Sequence, residues 1–461
     1  MSATPVAWSG RPLRALSLAL VRFFYPRLTL EGQDQLPTQG PVIVVANHPN
    51  GLLDPVVLQL AVGQPVRFWA KSTFWRNPFG RAAMAAFGCI PVFRAQDAGS
   101  AGDGGQRRDR NEETFARCRE VLREGAWLAL FPEGTSHSDP QLRPLKSGAA
   151  RIALSTMVEA TAAGAPVDLL IVPAGLGYEA KAIFRSGVLV RIGPPLRVAG
   201  YLERHAGDER AAAEALTADI RAQLDDVVLQ AETRDLLQGV ARIAVWTAEP
   251  EAAGTAAGGD ADAAALHHRA RMLLDAHQVM LDRDPDAVDR ITRAASAYGR
   301  VLRHLGVRDP WALEVPAVDA GPVMVAVAKL ILAAPLAAIG AVLSWVPYRL
   351  AGTVARKVVK REFDILSTVK LLAGSLFLLL AWTAEAIAAG LLWRPLAAVA
   401  VLVLAPVTGY IALRFEEIWG ATVMGVRHLW LRRAHPLKVA RLVQRRRALA
   451  DAVARALQVG G

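Results

Sequence analysis

The sequence predicts an α/β domain, a mixed sheet flanked by helices, followed by a helical region and a C-terminal transmembrane helical hairpin. Two observations carry this. Between about residues 40 and 200, apolar runs at 42–46, 66–70, 89–93, 127–131, 169–172 and 188–192 alternate with helix-patterned segments such as 111–123 and 148–163. That alternation is the pattern of strands joined through helices. Beyond residue 320, three apolar stretches follow one another, 323–346, 371–392 and 396–413. The last two each approach the ~20 residues that cross a bilayer.

Composition agrees. The chain has 461 residues, enough for two or three domains, and 53% of them are hydrophobic, too many for an ordinary soluble enzyme of this size. Its two cysteines, Cys89 and Cys118, supply no disulfide framework and fit a reducing compartment. The net charge of +11 is unevenly spread: from Arg414 onward there are ten Lys/Arg against three Asp/Glu. A basic tail suits nucleic acid or an anionic membrane surface. Its place directly after apolar runs, with no interleaved aromatic beyond Trp430, favours the membrane and argues against a nucleic-acid partner.

Taken in order, residues 1–30 form an amphipathic segment. The apolar run 14–25, with Arg14, Arg22 and Arg27 around it, is too short to span and suits either an interfacial helix or a helix capping the core. Residues 31–202 are the α/β domain, with a Gly-, Asp- and Arg-rich loop at 97–110. Residues 203–320 are helix-forming and charged, with a linker near 249–263 rich in Ala and Gly. His267 and His268 have no ligand-spaced Cys or carboxylates beside them, so no metal site is expected. Residues 321–348 contain Lys329 and Pro335 and end near Pro347, which fits re-entrant or interfacial helices. Residues 349–370 carry six Lys/Arg against Glu362 and Asp364, and 414–461 form the basic tail. Both should be cytoplasmic, with 371–413 as a two-crossing hairpin turning at Trp393-Arg394-Pro395. This places the α/β domain on the cytoplasmic side, at the inner membrane if the chain is bacterial.

Four stretches carry chemistry, each where a predicted strand ends. The first is Asn47-His48-Pro49-Asn50-Gly51-Leu52-Leu53-Asp54-Pro55. A histidine in a turn with a carboxylate nearby is the minimal general-base unit, because the carboxylate orients the imidazole and stabilises its protonated form. The second, Phe131-Pro132-Glu133-Gly134-Thr135-Ser136-His137, offers a carboxylate, a glycine turn and a hydroxyl to a hydroxylated or phosphorylated substrate. The third, Gly88-Cys89-Ile90-Pro91-Val92-Phe93-Arg94, delivers Arg94, whose planar fork suits a phosphate. The fourth is Ile171-Val172-Pro173-Ala174-Gly175-Leu176-Gly177-Tyr178-Glu179. No Gly-x-Ser-x-Gly elbow occurs, so an acyl-serine route has no support.

Taken in chain order, over roughly residues 20–200, the four stretches resemble the glycerolipid acyltransferase family, whose members acylate glycerol 3-phosphate or lysophosphatidic acid. The usual family motif places four residues between His and Asp, whereas five separate His48 from Asp54. That longer form, with Gly175-Leu176-Gly177-Tyr178-Glu179 and Phe184-Arg185-Ser186, is similar to the yeast-type dual glycerol-3-phosphate/dihydroxyacetone-phosphate acyltransferases and their bacterial relatives. Ser136 stands where many members have Arg, and Lys146 is a candidate to supply that charge.

The resemblance implies direct transfer of an acyl group from an acyl-CoA or acyl-carrier-protein thioester to the sn-1 hydroxyl of glycerol 3-phosphate, with no cofactor and no metal. His48 would be the base and Asp54 its partner. Arg94 and Lys146 would bind the phosphate, while Glu133, Gly134 and Thr135 position the glycerol hydroxyls or the glycine turn. Backbone amides near 47–51 would serve the oxyanion. Membrane lipids would take up the product. Two alternatives stay open: acylation of lysophosphatidic acid, and an inactive lipid-binding scaffold on the same fold.

Overall fold

The computed structural model describes residues 11–93, 104–248, 262–307, 313–314, 320–359 and 365–460. The chain divides into two compact units. One holds residues 1–230 with 361–368; the other holds 231–360 with 369–461.

The first unit is built on one mixed sheet of eight strands: β1 (Arg27–Glu31), β2 (Val42–Ala46), β3 (Val66–Lys71), β4 (Ile90–Val92), β5 (Trp127–Leu130), β6 (Leu170–Tyr178), β7 (Gly187–Ile192) and β8 (Leu196–Arg197). Their spatial order is β1-β7-β6-β2-β5-β3-β4, with β8 paired to β6. β2 runs parallel to both β5 and β6 and is buried along its whole length, as a central strand must be. β7 pairs antiparallel with β6 and parallel with β1, which makes the sheet mixed.

Five helices matter to this sheet. α1 (Arg11–Phe24) buries Val21 and Phe24 while leaving Leu16 and Phe23 exposed, so its last turn belongs to the core and its outer face does not. α2 (Leu53–Val62) follows β2, α3 (Pro78–Ala86) follows β3, α4 (Gly104–Arg123) precedes β5, and α5 (Gly148–Ala162) leads toward β6. Ile43, Val45, Leu128, Leu130 and Ile171 of the sheet pack with Val121 and Leu122 of α4 and with Ile152 and Leu154 of α5. A short helix, α6 (Leu202–Gly207), precedes α7 (Glu209–Val227), which lays Leu216, Ile220 and Leu224 on the same core.

Several boundaries differ from the sequence reading. The compact unit continues to Gln230 rather than ending at 202, because α7 is amphipathic and its apolar stripe completes the core. β1 and β8 carry too few apolar residues to be recognised without the neighbours they pair with. The segment 104–110, expected as loop, is the start of α4.

The second unit is helical: α8 (Arg234–Thr247), α9 (Ala263–Arg283), α10 (Pro285–Leu305), α11 (Ala320–Val358), α12 (Leu366–Leu392), α13 (Pro395–Ala434) and α14 (Pro436–Gly460), the first three residues of α12 falling in the first unit. α11, α12 and α13 are each long and apolar enough to cross a membrane. The region 321–348, expected as re-entrant or interfacial helices, lies within one continuous helix that contains Pro335 and Pro347. A proline removes one helical hydrogen bond without ending a helix held by neighbours. α11 and α13 meet backbone to backbone: a Cβ on Gly340 would lie 2.0 Å from the Thr408 carbonyl oxygen. Such small-residue crossings are how apolar helices pack closely. The turn at 393–394 separates α12 from α13 as expected, but α13 runs on to Ala434, so the basic tail is helical.

Candidate active site

The sheet brings three of the four stretches together. β6, β2 and β5 lie side by side and parallel, so the residues leaving their C-terminal ends share one edge. Asn47 fastens this edge. Its Oδ1 accepts the Leu176 N–H at 2.7 Å and its Nδ2 donates to the Leu176 carbonyl at 3.1 Å, tying the exit of β2 to β6.

His48 comes next, and the turn after it passes through Gly51, at φ +48°, into α2. Asp54 therefore lies in the first turn of a helix, where the exposed amides and the helix dipole favour a negative charge. The five intervening residues do bring the carboxylate back: Asp54 Oδ2 is 2.8 Å from His48 Nδ1. Asp54 is fully buried and saturated. Oδ2 also accepts the Asn50 N–H at 2.6 Å, and Oδ1 accepts the Tyr178 hydroxyl at 2.6 Å. The Phe131 ring stacks on the imidazole at 4.1 Å. With Nδ1–H donated to the carboxylate, the other ring nitrogen, Nε2, is the one left to take a substrate proton.

Glu133 is buried beneath this pair, its side chain without solvent exposure. Oε1 accepts the His48 N–H at 3.1 Å, while Oε2 accepts the Arg143 N–H at 2.8 Å and pairs with His137 Nε2. His137 in turn donates its backbone N–H to the His48 carbonyl at 3.1 Å. The carboxylate thus faces protein donors, and what it positions is the seam between the β2 and β5 turns. Gly134, at φ +76°, allows the close approach of a cation: a Cβ there would lie 2.5 Å from Lys146 Nζ. Lys146 is held by its N–H to the Pro132 carbonyl at 2.9 Å, and Thr135 lies half-buried in the same turn. Arg94 lies outside the described residues. β4, which leads to it, stands two strands beyond β5.

The expected oxyanion donors are partly spent. The His48 and Asn50 amides go to Glu133 and Asp54, and Pro49 has none, because the turn uses its own amides to hold the two carboxylates. Among the described residues, the Gly51 amide makes no such bond.

The residues that hold this site went unrecognised in the sequence. Tyr25 accepts the Asn50 Nδ2–H at 2.8 Å and donates to the Lys181 carbonyl, which also accepts the Ser367 hydroxyl at 2.6 Å. Lys181 Nζ donates to the Pro49 carbonyl at 2.6 Å. Burial pushes the Tyr25 hydroxyl up to about 12, and burial together with the Asp54 charge holds Tyr178 well above its usual range. Both therefore act as neutral donors. Tyr178 carried a signal, a hydroxyl at the end of the fourth strand; Tyr25, Lys181 and Ser367 carried none.

With this geometry in place, residues 27–177 match the family model Acyltransferase, and this part of the chain is similar to glycerolipid acyltransferases. Among its relatives is an uncharacterized acyltransferase of Schizosaccharomyces pombe, 26% identical over 270 residues, covering 41% of this chain and 39% of that protein. A chloroplastic 1-acyl-sn-glycerol-3-phosphate acyltransferase of Brassica napus is 30% identical, covering 31% of this chain and 37% of that one. Glycerol-3-phosphate O-acyltransferase 2 of Saccharomyces cerevisiae is 34% identical, over 28% of this chain and 17% of the yeast protein. The chain thus spans less than half the length of each.

Proposed function

We propose that the protein is a membrane-bound O-acyltransferase that moves a fatty acyl group from an acyl-CoA or acyl-carrier-protein thioester to the sn-1 hydroxyl of glycerol 3-phosphate. The observation that carries this is the His48 Nδ1 to Asp54 Oδ2 contact of 2.8 Å, at the strand-end edge shared with the Glu133-Gly134-Thr135 turn. Nε2 takes the hydroxyl proton as that oxygen attacks the thioester carbonyl. The C–S bond then breaks, and the thiolate leaves and recovers the proton from the imidazolium. A thiol with pKa near ~8.5 is a good leaving group, so no strong second acid is needed. No cofactor takes part in these steps. Arg94 and Lys146 bind the acceptor phosphate, and the Gly51 amide is the turn's remaining donor for the oxyanion.

The apolar helices give the lipid product a path into the bilayer. We place the α/β domain and the basic segments on the cytoplasmic side, where soluble glycerol phosphate and thioesters arrive; in a bacterium this is the inner membrane. A second reading, transfer to 1-acylglycerol 3-phosphate, is supported by the Brassica napus relative, whose name carries that activity.

An acceptor panel tests both: acyl-CoA-dependent acylation of glycerol 3-phosphate, dihydroxyacetone phosphate and lysophosphatidic acid by the purified protein and by His48→Ala. Glycerol 3-phosphate should be the preferred acceptor, and the variant should lose roughly 10²–10⁴-fold. A variant as active as the parent removes His48 as base, and preference for lysophosphatidic acid selects the second reading. Arg94→Ala should raise KM for the phosphorylated acceptor far more than for the thioester.

A further inference from the structure

Within the helical unit, α8, α9, α10 and α14 line an open cleft of about 530 Å³, inside the range of small-ligand sites between helices (roughly 300–1,000 Å³). Its floor is apolar and buried, with Val240, Leu273, Met280 and Ala295 among the lining side chains. Its rim is different. Arg242, Arg300 and Arg303 are exposed there against the single carboxylate of Asp235. None of the three guanidinium groups is paired with a carboxylate among the described residues; Arg242 donates only Nε, to the Gln238 carbonyl at 3.1 Å.

We infer that this cleft binds a single-chain anionic amphiphile, its acyl chain on the apolar floor and its head against the three arginines. Water against Val240, Leu273, Met280 and Ala295 would find no polar partner in those side chains, and an uncharged chain would leave the arginines unused. A ligand with one long apolar part and one anionic head satisfies both ends. Residues 249–261, which join α8 to α9, carry no aromatic, Leu, Ile, Val or Met side chain that would fill the floor in its place. The site lies wholly within the helical unit and includes none of the residues assigned to acyl transfer, so it stands or falls independently of the proposed reaction.

The anionic head has two plain sources, a fatty carboxylate and a lysophospholipid phosphate. The full chain in lipid nanodiscs is exposed to a diazirine-bearing palmitate, to a lysophosphatidate with the same chain, and to the corresponding neutral alcohol. Crosslinked peptides are mapped by mass spectrometry. Saturable labelling of α8, α9, α10 or α14 by an anionic probe is expected, and whichever head labels at lower concentration names the source. Ala295→Trp, which fills the floor, should abolish it. Arg300→Glu with Arg303→Glu should weaken it by roughly tenfold or more, as loss of two charge-assisted contacts requires. Because these arginines are exposed, the second variant tests the site even if the first fails to fold. Labelling confined to other helices, equal labelling by the neutral alcohol, or indifference to the rim variant would each overturn the inference.

Discussion

The Tyr178 hydroxyl donates to Asp54 Oδ1 at 2.6 Å, on the side of the carboxylate away from His48. A residue at the end of β6 thereby completes the shell of a helix residue that follows β2. Tyr178→Phe removes this bond and leaves a buried carboxylate oxygen without a partner. Hydrogen bonds to charged groups contribute about 1.5–3 kcal/mol, so kcat should fall by roughly ten- to a hundredfold with KM little changed. Steady-state kinetics of the variant decide it. An unchanged kcat, or a loss confined to KM, would mean that Tyr178 does not position the pair.

Glu133 separates two roles cleanly. Because its carboxylate holds the His48 N–H, the Arg143 N–H and the His137 ring, Glu133→Ala should strand buried donors, at about 1–3 kcal/mol each. The thermal midpoint of the detergent-solubilised protein should drop, and kcat should fall with it. A residue that only touches the acceptor would instead raise KM and leave the midpoint alone.

Gly134 and Lys146 form a third test. A methyl group at Gly134 would meet Lys146 Nζ and would also occupy a φ of +76°, so Gly134→Ala must displace the lysine, strain the turn, or both. If the ammonium serves the acceptor phosphate, Lys146→Ala, which adds no strain, should raise KM for glycerol 3-phosphate by roughly tenfold while leaving KM for the thioester unchanged. Equal effects on both substrates would remove Lys146 from the phosphate site.

Tyr25 contributes to the alkaline limit of stability, alongside Tyr178, Tyr201, Cys89 and Cys118, whose pKa values burial also raises. Its folded pKa is raised to about 12, chiefly by burial, above the ~10 of an unfolded tyrosine. The folded state therefore keeps a proton that the unfolded state has lost between these values. Stability from this group is fully present below pH ~10 and falls as pH rises toward about 12. Tyr25→Phe should flatten this part of the stability–pH curve, measured by denaturant unfolding across pH 9–12. A slope identical to that of the parent would show that Tyr25 does not contribute to it.

What the sequence determined by itself follows from short-range chemistry. An apolar run of strand length such as 42–46, rich in Val and Ile, reads as a buried strand, and the two apolar stretches 371–392 and 396–413 read as long apolar helices. A carboxylate close to His48 in the sequence was equally visible, with five residues between His48 and Asp54. The tertiary structure decided the rest. Whether Asp54 returned to the imidazole depended on α2 starting at Leu53, and the surrounding support depended on β6 lying beside β2. Tyr25, Tyr178 and Lys181 are separated from the His48 turn by 25 to 132 residues in their contacts, and no local pattern encodes such pairs. Glu133 was legible as a functional position, but its role was not. Only burial distinguishes a carboxylate that offers its oxygens to a substrate from one already filled by the protein's own donors.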